Sequence, residues 1–308
     1  MGLALIDAVG LQQALPVEAA IAALEASFRA STLPTSPLRT HVQAEGADLL
    51  MMPAMGDPGI GIKLVTVNPS NPGRGLPLIH AVYVLFGPGS TEPLAVIDGA
   101  ALTALRTAAV SALATRHLAN LDAERLVIFG AGVQGHSHLL AMRAVRPIWL
   151  VKVVSRTPQR AGELVDRARA LDMEASVGGP EAVAKADLVC TCTTSPEPLF
   201  DGALLKPGTH INAVGSFQPH TRELDDAAVA RARIVVETRE AALAEAGDLV
   251  IPMKAGVMGP SAIVADLSEV VRGAAVRTSP EDITIFKSVG VAFEDLVVAK
   301  AALDRMQR

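Results

Sequence analysis

A chain of 308 residues, half of them apolar and 19% charged, is long enough for two domains and rich enough in apolar side chains for a sizeable core. Aromatic residues are only 3% of the chain and the net charge is −5, which excludes base-stacking platforms and argues against a polyanionic partner, so no nucleic acid is expected. Cys190 and Cys192 form neither a CxxC motif nor a disulfide framework, no N-terminal signal pattern is seen, and no apolar run nears the length of a membrane span; a cytoplasmic protein away from the membrane is expected.

Pro16 sits near a helix start, and Ala20, Ile21, Leu24 and Phe28 then recur at helical spacing, which predicts a packing helix. Residues 35–98 are strand-like, with strands expected at 39–44, 49–52, 61–67, 78–86 and 94–97. Turn material such as Gly56-Asp57-Pro58-Gly59 and Asn68-Pro69-Ser70-Asn71-Pro72-Gly73 separates them, so this stretch predicts one antiparallel or mixed sheet rather than βαβ units. Two cations stand out there. Arg39 opens a strand, and Lys63 lies inside an apolar one, where spacing alone allows a surface lysine on the solvent face equally well. Residues 99–118 read as a helix of small residues on which Arg106 is the only charge between Asp98 and Arg116. Burying such a cation requires an anion, either a protein carboxylate or the carboxylate of a ligand.

From 119 to 288 strands and helices alternate. Strands are expected at 126–129, 149–154, 173–177, 187–192, 209–214 and 233–237, and helices at about 134–145, 158–171, 179–184, 223–231 and 239–246, the pattern of a Rossmann-type doubly wound parallel sheet. The strand Arg125-Leu126-Val127-Ile128-Phe129 runs straight into Gly130-Ala131-Gly132-Val133-Gln134-Gly135, a G-x-G-x-x-G between a buried strand and a helix. In that context Gly130 permits the tight turn, Gly132 lets the backbone approach a pyrophosphate, and Gly135 lets helix and strand pack closely. Ligands of such sheets bind at the carboxyl ends of the strands, which gathers Ser155, Arg156, Thr157, Thr193, Thr194, Val214, Ser216 and Phe217 around one crevice. The second strand ends in Ser155-Arg156-Thr157, with Arg160 one turn on, and carries no acid to hold a ribose 2′-hydroxyl; NADP(H) is favoured, with NAD as the lesser option. The histidines form no ligand cluster, and His136 and His138 are two apart at a helix start, so no metal is expected. The tail, from Ser288-Val289-Gly290 to Leu303, returns to a helix expected to pack on the first domain, which makes the cofactor domain an insertion.

The chain resembles the ornithine cyclodeaminase/μ-crystallin family. The matching residues are Met52-Pro53, Lys63 followed by Asn68-Pro69 and Asn71, Leu102-Thr103-Ala104-Leu105-Arg106-Thr107-Ala108-Ala109, the glycine turn at Gly130 with Val133 and Gln134, Asn212-Ala213-Val214-Gly215, and Ser288-Val289-Gly290. The resemblance implies an α/β fold in which a dinucleotide-binding domain, 119–288, is inserted into an α+β substrate-binding and dimerisation domain, 1–118 plus 289–308, and it implies a homodimer. It implies that Arg39, Lys63 and Arg106 converge on a substrate carboxylate, with Lys63 and Arg106 catalytic, and that Thr107, Val133, Gln134, Val289 and Gly290 join the cofactor-binding set.

Two departures narrow the reaction. Leu50 stands where dedicated ornithine cyclodeaminases carry a Glu for the distal amine, and Phe217 stands where they carry a proton-transferring Asp. The Gly215-Ser216-Phe217-Gln218-Pro219 run with Arg222-Glu223-Leu224 looks like the ketimine-reductase branch. The resemblance therefore implies NAD(P)H-dependent reduction of a small cyclic imino acid, Δ1-pyrroline-2-carboxylate to L-proline, together with the piperideine homologue to L-pipecolate. Leu50, Met52 and Phe217 would cover the ring, and Lys63 or a water held by Ser216 would supply the proton. The rivals are an ornithine cyclodeaminase, an alanine dehydrogenase of the same family, and a non-catalytic NADPH-binding carrier of the μ-crystallin type.

Overall fold

The computed structural model describes Gly2–Arg308, the side chain of Pro72 excepted. Among the described residues the strands form two sheets, one of six strands and one of eight, and the chain divides into two compact units, 1–106 with 291–308 and 107–290.

The first unit begins with β1 (Ala4–Ile6), α1 (Ala8–Ala14) and α2 (Val17–Arg29). Asp7 caps α1 by accepting from the Gly10 amide. It continues through β2 (Thr40–Ala44), β3 (Ala47–Gly56), β4 (Gly59–Val67), β5 (Ile79–Phe86) and β6 (Pro93–Asp98). The sheet order is β1-β6-β5-β4-β3-β2, antiparallel throughout except for the parallel β1–β6 pair. The mixed sheet read from the sequence is there. β1 and α1 were not expected, since a three-residue strand has no period to detect.

Helix α3 (Gly99–Leu118) follows β6 directly. Asp98 starts it by accepting from the Ala100 and Ala101 amides. Gly99 is required at the first position, because a Cβ there would lie 2.8 Å from the β5 backbone at Ala81 and Val82. The division between the units falls inside α3, after Arg106.

The second unit contains β7 (Arg125–Phe129), α4 (Val133–Val145), β8 (Leu150–Val154), α5 (Pro158–Arg169), β9 (Glu174–Val177), β10 (Leu188–Thr191) and β11 (His210–Ala213). It goes on through α6 (Asp226–Ala230), β12 (Ala232–Val236), α7 (Arg239–Glu245), α8 (Gly247–Lys254), β13 (Ile263–Asp266), α9 (Leu267–Val271) and β14 (Ile283–Lys287). All pairings are parallel, in the order β13-β12-β14-β11-β10-β7-β8-β9. The direction of winding switches between β7 and β10, where a doubly wound sheet opens its ligand crevice. β10, β11 and β14 are buried along their whole length, as strands covered on both faces are.

Three differences from the sequence reading are physical. The segment expected as a helix at 179–184 is a 3-10 turn, Pro180–Lys185. The helix expected from 223 begins only at Asp226, because the Glu223 and Leu224 amides are held by the Asp248 carboxylate. The short elements α8, β13, α9 and β14, each of four to eight residues, were missed, yet β14 occupies the middle of the sheet.

In the first unit the chain ends in α10 (Ala292–Met306), which packs on β3, β4 and α2. Phe293 meets Phe28 of α2 edge-on, with ring centroids 5.1 Å apart. The Ala292 amide donates to Ser36 Oγ, which fixes the start of α10 against the segment ahead of β2.

Candidate active site

In the first unit, Met52 of β3, Lys63 of β4 and Tyr83 of β5 stand directly opposite one another, so their side chains share one sheet face. That face is the one under α10, and Leu50 and Ala54 of β3 are buried on it as well. Lys63 is therefore 1% exposed, and the solvent-face alternative is overturned. Its Nζ lies 2.9 and 2.8 Å from the two carboxylate oxygens of Asp295, on the first turn of α10. Arg106, 5% exposed, donates from Nη1 to Glu294 at 3.0 Å, and its Nε is 3.2 Å from Asp295 Oδ1. The protein-carboxylate alternative for Arg106 is thus realised, by two adjacent acids from the far end of the chain.

Burial pushes Lys63 down to about 8; Asp295 opposes this, while the charges of Arg106 and Arg39 act with it. Arg39, half-buried one residue ahead of β2, is thereby placed within electrostatic reach of Lys63. Tyr83 is fully buried, its hydroxyl finds no hydrogen-bond partner among the described residues, and it lies where a Cβ on Gly61 would stand, 1.8 Å away. Burial, and then the Asp295 charge, pushes the Tyr83 hydroxyl well above its ordinary range. Of the residues expected to bind substrate, Arg39, Leu50, Met52, Lys63 and Arg106 lie in this unit, and Phe217 lies in the other, on the loop after β11.

Sequence reasoning missed Asp295, Glu294 and Tyr83. Two adjacent acids in Val291-Ala292-Phe293-Glu294-Asp295-Leu296-Val297-Val298 are as anomalous on an apolar helix as Arg106 is on its own. That shared anomaly was the signal that could have paired them.

In the second unit the expected cofactor residues lie at the carboxyl ends of β7, β8, β10, β11 and β14. Thr107 is the exception, buried near the middle of α3. Gly130 has φ +96°, and a Cβ there would come 2.5 Å from the Cys192 carbonyl; one on Gly135 would come 2.1 Å from the Gly130 carbonyl. Gly132 differs. It is the N-cap of α4, no side chain caps that helix, and a Cβ on Gly132 would meet nothing within 4 Å. An uncapped helix N-terminus with open space before it fits a diphosphate, with Val133, Gln134 and Gly135 forming its first turn. Ser155 Oγ accepts from the Thr157 amide, and Arg156 and Arg160 are exposed beside it.

The other strand-end loops are tied by buried carboxylates. Glu223 accepts from the Thr193 amide and hydroxyl (2.8 and 2.7 Å), the Thr191 hydroxyl (2.7 Å) and the Gly215 and Ser216 amides (2.8 and 3.3 Å). Lys287 bridges the Asp248 carboxylate, 2.8 Å away, and the carbonyls of Ala213 and Ser216. Glu237 accepts from Ser288 Oγ and from the Val289 and Gly290 amides at 2.6–2.9 Å.

Comparison with known proteins finds relatives along nearly the whole chain. A Δ1-pyrroline-2-carboxylate reductase of Bacillus cereus strain ZK / E33L is 39% identical over 274 residues, covering 86% of this chain and 84% of that one. The solved structure of Thermococcus litoralis Δ1-pyrroline-2-carboxylate reductase with NADH and L-proline superposes with a TM-score of 0.93 at 34% identity, over 99% of this chain and 98% of that one. An archaeal alanine dehydrogenase dimer with bound NAD gives 0.94 at 32%, over 100% and 97%. The family model for the ornithine cyclodeaminase/mu-crystallin family matches residues 4–308, and the chain belongs to that family.

Proposed function

We propose that the protein is a ketimine reductase that reduces Δ1-pyrroline-2-carboxylate to L-proline, and Δ1-piperideine-2-carboxylate to L-pipecolate, with a nicotinamide cofactor. The observation that carries this reading is the pair of buried cations, Lys63 and Arg106, set beside the apolar Leu50 and Met52. A cyclic imino acid has one carboxylate and an apolar ring. In the first unit Arg106 and Lys63 gather at the Glu294 and Asp295 carboxylates, with the Arg39 charge in electrostatic reach of Lys63, and such a concentration of cations suits a substrate carboxylate. Arg106 offers a planar fork suited to that group. Leu50 offers nothing to a distal ammonium, which disfavours a diamino acid.

In the second unit, the amides of the first α4 turn and the strand-end loops would hold the cofactor, which supplies the hydride. Ser155-Arg156-Thr157 carries no acid to repel a 2′-phosphate, which supports NADPH over NADH. The named relatives with bound NADH and NAD support the nicotinamide cofactor itself. The first unit serves substrate binding and dimerisation in this reading, and the protein works as a homodimer, to be read by light scattering.

One assay panel tests the proposal: NADPH oxidation with the five- and six-membered imine acids, with pyruvate plus ammonia, and with ornithine and oxidised cofactor. Turnover of the imines to L-proline and L-pipecolate is the expected result. Preference for pyruvate plus ammonia would make the protein an alanine dehydrogenase, and proline with ammonia from ornithine would make it a cyclodeaminase.

A further inference from the structure

The ion cluster of the first unit leaves Tyr83 unexplained. Its side chain is fully buried, and its hydroxyl has no hydrogen-bond partner among the described residues. The sheet face around it offers none. Met52 and Ala54 of β3 and Leu85 of β5 are apolar, and the two hydrogen bonds of the Lys63 ammonium go to Asp295.

The neighbouring strand is shaped for this phenol. The hydroxyl oxygen lies 1.8 Å, and Cζ 2.5 Å, from where a Cβ of residue 61 would stand, so β4 admits the ring only because that residue is glycine. A glycine inside a strand weakens it. A buried hydroxyl without a partner also costs the water it has lost, and a phenylalanine would fill the same seat without that cost. Stability is thus given up at two touching positions to keep one O–H in this place, as happens where a ligand supplies the missing partner.

The place decides what the ligand offers. Tyr83 stands directly opposite Lys63, and Gly61, over which its hydroxyl lies, is two residues before Lys63 on the same face. Leu50 is paired with Val65, on the other side of Lys63. The hydroxyl is therefore beside the cations and away from Leu50, which the proposed reaction leaves to the ring. Burial and the Asp295 charge push its ionisation well above the ordinary range, so the phenol stays neutral and keeps an O–H to donate. A ligand drawn to Lys63 and Arg106 is an anion, and an O–H donated to an anionic oxygen makes one of the stronger hydrogen bonds.

We propose that Tyr83 is a further substrate-binding residue, whose hydroxyl donates to the substrate carboxylate that Lys63 and Arg106 attract. The identity of the substrate rests on the ketimine-reductase reading. The charges of Arg106 and Arg39 already act against that of Lys63. A neutral donor strengthens the hold on a carboxylate without adding to that repulsion.

The test is Tyr83→Phe, which removes the hydroxyl and keeps the ring. Thermal unfolding of the variant should lie at or above that of the parent, since the hydroxyl has no partner to lose. A fall of several degrees would mean that the hydroxyl is bonded within the protein, and would overturn the proposal. Because a hydrogen bond to a charged group is the interaction removed, kcat/KM for Δ1-pyrroline-2-carboxylate should drop roughly ten- to hundredfold. For Δ1-pyrroline, which has the ring and no carboxylate, it should stay near the parent value. Equal losses for the two imines would overturn carboxylate recognition. Calorimetry with pyrrole-2-carboxylate, a ring acid with no C=N bond to reduce, reads binding apart from turnover. The variant should bind it roughly tenfold or more weakly; equal affinity overturns the role of Tyr83. If the parent reduces neither imine but binds this acid through Tyr83, the reductase reading has failed and the carboxylate contact stands. A parent that neither turns over the imines nor binds the acid overturns both.

Discussion

The first unit buries charges that face one another from three separate stretches of chain, Lys63 on β4, Arg106 on α3 and the Glu294–Asp295 pair on α10. The second unit buries carboxylates that face mostly backbone N–H and hydroxyl groups, as Glu223 and Glu237 do. A cation pinned by a carboxylate keeps its charge in a low-dielectric setting and can be offered to a ligand; a carboxylate ringed by amides has its lone pairs filled and can only hold a loop. The first arrangement is suited to binding and proton transfer, the second to keeping strand ends in register for a cofactor. The same chemical group, a buried carboxylate, serves two purposes according to what it accepts from.

Breaking the first arrangement should have the largest effect. Arg106→Met leaves Glu294 and Asp295 without the guanidinium. Truncating one partner of a buried charged contact costs on the order of 2–5 kcal/mol, roughly 30- to several-thousand-fold in kcat/KM for the imine acid. Cofactor binding, measured by nicotinamide fluorescence, should stay near the parent value. Arg106→Lys keeps the charge but loses the planar fork, and should fall between the two. A neutral cyclic imine without the carboxylate separates anchoring from structure: if Arg106→Met slows both imines by the same factor, the arginine is structural only.

The two units also differ in how legible they were. The dinucleotide turn was readable because its determinants are contiguous: a buried strand, three glycines at fixed spacing and a helix, all between Arg125 and Val145. Close packing at Gly130 and Gly135 then follows from the turn itself. The cation site was half readable. Lys63 and Arg106 stand out as charges in apolar or small-residue surroundings, but their partner Asp295 is 232 residues from Lys63 in sequence, and no periodicity carries information over that separation. β14 was missed for a similar reason: its place between β11 and β12 is set by tertiary pairing and not by a local pattern.

Disturbing the second arrangement should have a smaller effect and a different signature. In Glu223→Gln, whichever carboxylate oxygen becomes an amide NH2 faces donors it can no longer accept from, the Thr193 amide on one side or the Gly215 and Ser216 amides on the other. An unsatisfied buried group costs about 1–3 kcal/mol, which for a unit of this size lowers Tm by about 2–4 °C per kcal/mol. Cofactor affinity should fall by about 10–100-fold as the two loops loosen, while the Lys63 titration midpoint stays where it is. A Lys63 midpoint that moves in Glu223→Gln would mean that the two sets of buried charge are coupled, and the comparison would fail.

The smallest effect is expected at Arg156, where the charge is exposed rather than buried. It follows β8 in Ser155-Arg156-Thr157, a turn held by the Thr157 amide donating to Ser155 Oγ, and Arg160 lies at the start of α5 close by in sequence. An exposed guanidinium is screened by solvent and salt, so its hold on a 2′-phosphate is weaker than that of a buried one. Arg156→Ala should therefore weaken NADPH by roughly tenfold at low ionic strength, with a smaller loss as salt rises, and should leave NADH almost unchanged. The double variant with Arg160→Ala should widen the NADPH loss if both arginines read the phosphate. Titrations of both cofactors at two salt concentrations decide the matter. Equal weakening of NADH and NADPH would show that Arg156 supports the turn and not the phosphate, and the preference for NADPH would then have to come from elsewhere in the second unit.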